Sequence, residues 1–181
     1  MRRMTLLASL LALTALVVAT GLALADTFTC HPNERVCSGT KGNDTITGTE
    51  GGDNIRALRG EDEVAALAGN DIVSGGDQDD HLAGGRGDDY LRGGRGDDYL
   101  RDLIGDDVDE LYGNAGDDWI DVADGDTDDF VDCGRDTDTL RFDRNSSTDR
   151  DSFTNCENLI PVEDAIVCWP WQQAWYVSRS G

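Results

Sequence analysis

Seven aspartates recur at nine-residue spacing: Asp44, Asp53, Asp62, Asp71, Asp80, Asp89 and Asp98. An aliphatic residue follows each one two positions later: Ile46, Ile55, Val64, Val73, Leu82, Leu91 and Leu100. Short carboxylate arms among glycine-rich turns with open carbonyls make an all-oxygen donor set. A hard divalent cation suits such a set, and calcium takes about six to eight oxygens at about 2.3–2.6 Å. Without a cation, aspartates stacked on successive turns would raise one another's pKa or splay the turns.

The spacing also dictates the element that carries these groups. No single α-helix keeps both an aspartate and an aliphatic residue on fixed faces at a period of nine, and each interior glycine would cost a helix about 1 kcal/mol. A turn followed by a short strand fits. Glycine permits positive φ and close backbone approach in the turn, and the residue two after the aspartate points inward from the strand. The period runs through Gly39–Thr47 (GTKGNDTIT), Gly48–Arg56, Ala57–Ala65, Ala66–Ser74 and Gly75–Ala83 to two identical units, Gly84–Arg92 and Gly93–Arg101 (GGRGDDYLR). Asp102–Tyr112 and Val122–Asp132 are each two residues too long, whereas Gly113–Asp121 and Cys133–Arg141 return to nine. Tandem repetition at one fixed period is the signature of a solenoid, in which each unit buries its apolar face against its neighbours.

These units resemble the hemolysin-type (RTX) calcium-binding nonapeptide repeat of secreted bacterial proteins, glycine-glycine-x-glycine-x-aspartate-x-apolar-x. The resemblance covers residues 39–141, and Gly84–Arg92 and Gly93–Arg101 match at every defined position. It implies an all-β fold, a right-handed parallel β-roll in which two units make one turn and units n and n+2 share a calcium ion. Carried over, Asp44 pairs with Asp62, Asp53 with Asp71, Asp71 with Asp89 and Asp80 with Asp98, and carbonyls of Gly84, Gly87, Gly93 and Gly96 complete the best sites. Asp118 continues the series. In the first long unit Asp107 or Asp109 is the ligand, with Asp107 carried as the candidate, and Asp129 serves in the second. The chain departs from the pattern at Ala57-Leu58 and at Gln78, which replaces a glycine. Several bound calcium ions are expected.

The remainder bounds the function. Arg2-Arg3 followed by an apolar run from Leu6 to Leu24, ending in Ala23-Leu24-Ala25, reads as a secretory signal peptide over residues 1–25. The mature chain would carry 13 basic and 37 acidic residues, a net charge of −24. That argues against a nucleic-acid partner, since phosphate binding needs basic surface. No membrane span is expected in the mature chain. Residues 26–38 and 142–160 read as N- and C-terminal caps, and 161–181 as an aromatic tail. Export favours disulfides. Cys30 with Cys37 and Cys133 with Cys156 are the candidate pairs, with Cys168 left over, although spacing alone does not settle connectivity.

No nucleophile–base–orienter constellation stands out. His31 lies in the N-terminal cap, His81 occupies a strand slot that Tyr90 and Tyr99 fill in the next units, and no HExxH, GxSxG or phosphate loop appears. The expectation is a non-enzymatic, secreted, calcium-dependent structural or interaction module with an unidentified surface partner. The alternatives are an accessory repeat domain of a secreted enzyme and a calcium-dependent adhesin-like protein. Because only residues 26–38 precede the repeats, a stand-alone chain is favoured over the accessory domain.

Overall fold

The computed structural model describes residues 25–32, 36–103, 107–123, 129–143 and 151–162. Residues 1–24 of the expected signal peptide, Cys168 and the tryptophans of the tail lie outside them. The described chain forms fifteen strands and no helix, so no helix among these residues is long and apolar enough to cross a membrane. In chain order the strands are β1 (Thr27–Thr29), β2 (Cys37–Ser38), β3 (Thr45–Thr47), β4 (Asn54–Arg59) and β5 (Glu63–Ala68). Then come β6 (Ile72–Asp77), β7 (His81–Arg86), β8 (Tyr90–Arg95), β9 (Tyr99–Arg101) and β10 (Glu110–Ala115). The last are β11 (Trp119–Val122), β12 (Phe130–Arg135), β13 (Thr139–Asp143), β14 (Ser152–Thr154) and β15 (Asn158–Val162).

Consecutive strands fall on opposite sheets. The odd-numbered strands pair in order as one eight-stranded sheet and the even-numbered strands as a seven-stranded sheet. Every pairing is parallel. Two nonapeptides therefore make one coil, and the chain forms the parallel β-solenoid that the repeat phase requires. The register is a strict 18 residues early on, as in Val64↔Leu82 and Val73↔Leu91. It becomes 20 where a long unit intervenes, as in Leu91↔Leu111 and Ile120↔Leu140. Strand pairing resumes in phase after each insertion, so the extra residues fall between β9 and β10 and between β11 and β12.

Three positions of each unit face the interior. The eighth carries the aliphatic column from Ile46 to Leu140, essentially without exposure. The first carries a small residue such as Ala57 or Ala66, also buried. The sixth carries aspartate. The outer face holds the seventh and ninth positions, where rings stack across rungs: His81 with Tyr99 at 5.6 Å and Tyr90 with Tyr112 at 5.0 Å between centroids.

The ends are tied covalently. Cys30 bonds Cys37, and Cys133 bonds Cys156, joining β12 to the segment between β14 and β15. Phe153 and Phe142 pack against the core, with ring centroids 4.9 Å apart. The coil thus continues past Arg141, with β14 on β12 and β15 on β13.

Glycine is demanded most clearly at the second residue of the Gly84–Arg92 unit. Gly85 has φ +128°, and a Cβ there would overlap the Leu67 carbonyl one coil earlier. Gly85→Ala is expected to lower stability by at least the about 1–3 kcal/mol of a strained backbone position. Leu58 already occupies the equivalent slot at φ +92°, so Leu58→Gly should be neutral or stabilising. Thermal unfolding of both variants in calcium checks the contrast.

Candidate metal centre

The sixth-position aspartates form two ladders inside the coil. On the side of the eight-stranded sheet, the backbone N–H of Asp44 donates to Asp62 Oδ1 at 2.7 Å, that of Asp62 to Asp80 at 2.9 Å, and that of Asp80 to Asp98 at 2.8 Å. The series continues from Asp98 to Asp118 and from Asp118 to Asp138, both at 2.8 Å. On the other side it runs from Asp53 to Asp71 at 2.7 Å, then to Asp89 and Asp109 at 2.8 Å each, and to Asp129 at 3.0 Å. Asp151 closes the second ladder and Glu157 the first, each accepting at 3.0 Å. The backbone carbonyls of the same aspartates accept from the strand that opens one coil later, as Asp80 does from Tyr99 N–H at 2.8 Å.

One oxygen of each carboxylate is thereby satisfied. In the first coil Oδ2 has a partner too, accepting from Thr40 N–H at Asp44 and from Thr49 N–H at Asp53, each at 2.6 Å, but Oδ2 of Asp62, Asp71, Asp80, Asp89, Asp98, Asp118 and Asp138 is buried without a hydrogen-bond partner. Burial first, and then the neighbouring carboxylates, push these groups upward against the opposing effect of the backbone N–H. Asp71, Asp80 and Asp118 rise to about 7 and Asp98 to about 8, and Asp62 and Asp138 also rise. Buried polar groups are normally hydrogen-bonded, and buried charge is normally paired or bound to metal. A column of half-satisfied carboxylates fits a cation and is hard to explain without one.

The predicted site residues take definite places. Asp62, Asp71, Asp80, Asp89, Asp98 and Asp118 are buried in the ladders, as is Asp44, whereas Asp53 is only half-buried at the edge. Gly84 and Gly93 lie within β7 and β8 and face inward, so that a Cβ on either would overlap the bare oxygen of Asp89 or Asp98. Gly87 and Gly96 occupy the turns, at φ +105° and +126°. Asp109, not Asp107, holds the ladder position in the long unit, and the Asp107 carboxylate accepts from Gly87 N–H at 2.6 Å.

Sequence reasoning missed three buried acids. Asp138 stands at the sixth position of Cys133–Arg141 and was recoverable from the phase alone. Asp121 accepts from Arg141 Nη1 at 2.7 Å, a pairing announced only by the 20-residue register of the coil that holds it. Asp102 replaces the small first-position residue and meets Asp89 and Asp109, the three carboxylates offering oxygens within 4.8 Å of one another. The exposed fifth position adds a ladder of its own, with Asp97 N–H donating to Asp79 Oδ1 at 2.9 Å and Asp117 N–H to Asp97 Oδ1 at 2.8 Å. His81 is exposed in its ring stack with Tyr99.

The raised pKa values fix a sign. Each such aspartate holds its proton more tightly in the coil than in the unfolded chain. Its contribution to stability is complete below the ordinary value near 3.8 and is lost as pH rises through 7 to 8. In chelator, the β-structure read by circular dichroism should therefore be greater at pH 5 than at pH 8. Calcium should remove most of that difference.

A family model of the RTX calcium-binding nonapeptide repeat, four copies long, matches residues 38–73 and again 66–100. No curated protein and no solved structure matches the chain. The match falls on the units whose ladders keep the 18-residue register, and the same coil extends beyond it to Val162. Residues 38–100 thus match the RTX calcium-binding nonapeptide repeat family.

Proposed function

We propose that the chain is a secreted, calcium-dependent structural or interaction module whose repeats fold as they bind several calcium ions. The observation that carries this reading is the set of seven buried Oδ2 atoms without partners, five on one ladder and two on the other. Calcium would supply positive charge and coordination positions for carboxylate and carbonyl oxygens. Along the ladders, Asp44, Asp53, Asp62, Asp71, Asp80, Asp89, Asp98, Asp109 and Asp118 are the carboxylates proposed to hold it. The carbonyls of Gly84, Gly87, Gly93 and Gly96 are proposed to complete the central sites, and Asp107, next to Gly87, stays among the candidate ligands.

Magnitudes favour coupling of folding to binding. Of the three inward positions in each unit, one is a carboxylate. Burying an aliphatic side chain contributes about 1.5–3 kcal/mol. An uncompensated buried ion costs several kcal/mol. At neutral pH the interior therefore does not sustain itself, and a ligand that binds only the folded coil shifts the equilibrium by mass action. Extracellular calcium modules commonly work at about 10⁻⁴–10⁻³ M, so the chain would stay unfolded where calcium is scarce and fold after export. The disulfides Cys30–Cys37 and Cys133–Cys156 suit the same oxidising destination.

Far-UV circular dichroism during a calcium titration at pH 7.5, with magnesium as the control, tests the proposal. The expected result is a coil-to-β transition with calcium and none with magnesium. Full β-structure in chelator, unchanged by calcium, would overturn folding on binding. Persistent coil at millimolar calcium would overturn the reading as a whole.

A further inference from the structure

Asp102 is out of place in its unit. The first position elsewhere holds Gly39, Gly48, Ala57, Ala66, Gly75, Gly84, Gly93, Gly113, Val122 or Cys133, all small or apolar. These residues leave room over the sixth-position carboxylates, and here a third carboxylate occupies it. Asp102 is 2% exposed, and one oxygen from each of Asp102, Asp89 and Asp109 lies within 4.8 Å of the others. Gly85 N–H donates to it, at 3.2 and 3.4 Å to its two oxygens, and its carboxyl lies within hydrogen-bonding reach of that of Asp89. Asp89, 3% exposed, turns its partnerless Oδ2 toward the same space, since a Cβ on Gly84 would overlap Oδ2 of both Asp89 and Asp102. Neither Asp89 nor Asp102 forms an ion pair with lysine or arginine among the described residues.

We propose that Asp102 converts the Asp89–Asp109 step of the ladder into a three-carboxylate cation site, the tightest calcium site of the chain. The assignment rests on the calcium reading above. The spacing suits the ion: two oxygens each about 2.3–2.6 Å from one calcium lie at most about 5 Å apart. Calcium affinity rises with the charge of the ligand set, and this set carries one carboxylate more than the Asp71–Asp89 or Asp80–Asp98 steps. The position also has a structural logic. Asp89 and Asp109 are the first pair on their ladder separated by 20 residues instead of 18, and Asp102 opens the long unit between them. One ion held by all three joins the coil before the insertion to the coil after it.

Calorimetric titration of the full chain with calcium chloride tests this, comparing wild type with Asp102→Gly and Asp102→Asn. The glycine variant restores the residue that most units carry at this position, and the asparagine variant keeps the shape of the side chain. Both should fold in saturating calcium. Both should lose the tightest binding phase, with one ion fewer per chain or a Kd weakened more than tenfold at that step. If both variants keep the wild-type tightest phase, the assignment fails while the repeat sites stand. If neither folds in saturating calcium, Asp102 is structural and the assignment also fails. A wild-type chain that takes up no calcium removes the underlying reading together with this one.

Discussion

The aspartate ladder is the interaction on which the rest of the structure depends. Each sixth-position carboxylate caps the backbone N–H of the aspartate one coil earlier, at 2.7–3.0 Å along both ladders. That bond sets the coil height, orients the turn and aligns the aliphatic residue two positions later over its counterpart. It also brings a charged group into a place where only one of its oxygens has a partner. Folding and ion binding are therefore one problem. A coil this narrow, with one aliphatic side chain per unit, lacks the apolar area to bury a carboxylate in every unit without compensation.

The two ends and the two insertions show how much irregularity such a scaffold absorbs. The ladder stays intact across the extra residues, because the bond from one aspartate to the next depends on coil geometry and not on the count of intervening residues. Spacing grows from 18 to 20, and to 22 at Asp129–Asp151, with donor–acceptor distances still at 2.8–3.0 Å. At the C-terminal end Glu157 substitutes its longer arm for aspartate, and the Cys133–Cys156 bridge fixes the last coil where no further strand follows among the described residues.

Much of this was legible in the sequence, for a physical reason. A solenoid converts spatial stacking into sequence period, so the sixth and eighth positions announce both the buried carboxylate and the core. The disulfide partners were nameable because each pair flanks an end of the repeats. The first position was harder to read. Glycine and alanine there carry no side-chain signal that separates an inward slot from a turn, so the meaning of Asp102 emerged only from the coil. In the first long unit, Asp107 and Asp109 were equivalent on paper, because the sequence does not show on which side of the ladder residue the insertion falls. The strand beginning at Glu110 decides for Asp109. The segment after Arg141 was out of phase, and its irregular spacings concealed that Asp151 and Glu157 continue the ladders.

The central claim is that cations satisfy the bare inner oxygens of the ladder aspartates. Anomalous diffraction from calcium-loaded crystals tests it most directly. The account predicts calcium peaks about 2.3–2.6 Å from Oδ2 of ladder aspartates such as Asp71, Asp80, Asp89 and Asp98, repeating from coil to coil. Ions seated only on the exposed fifth-position acids Asp79, Asp88 and Asp97, with the inner oxygens still bare, would contradict it.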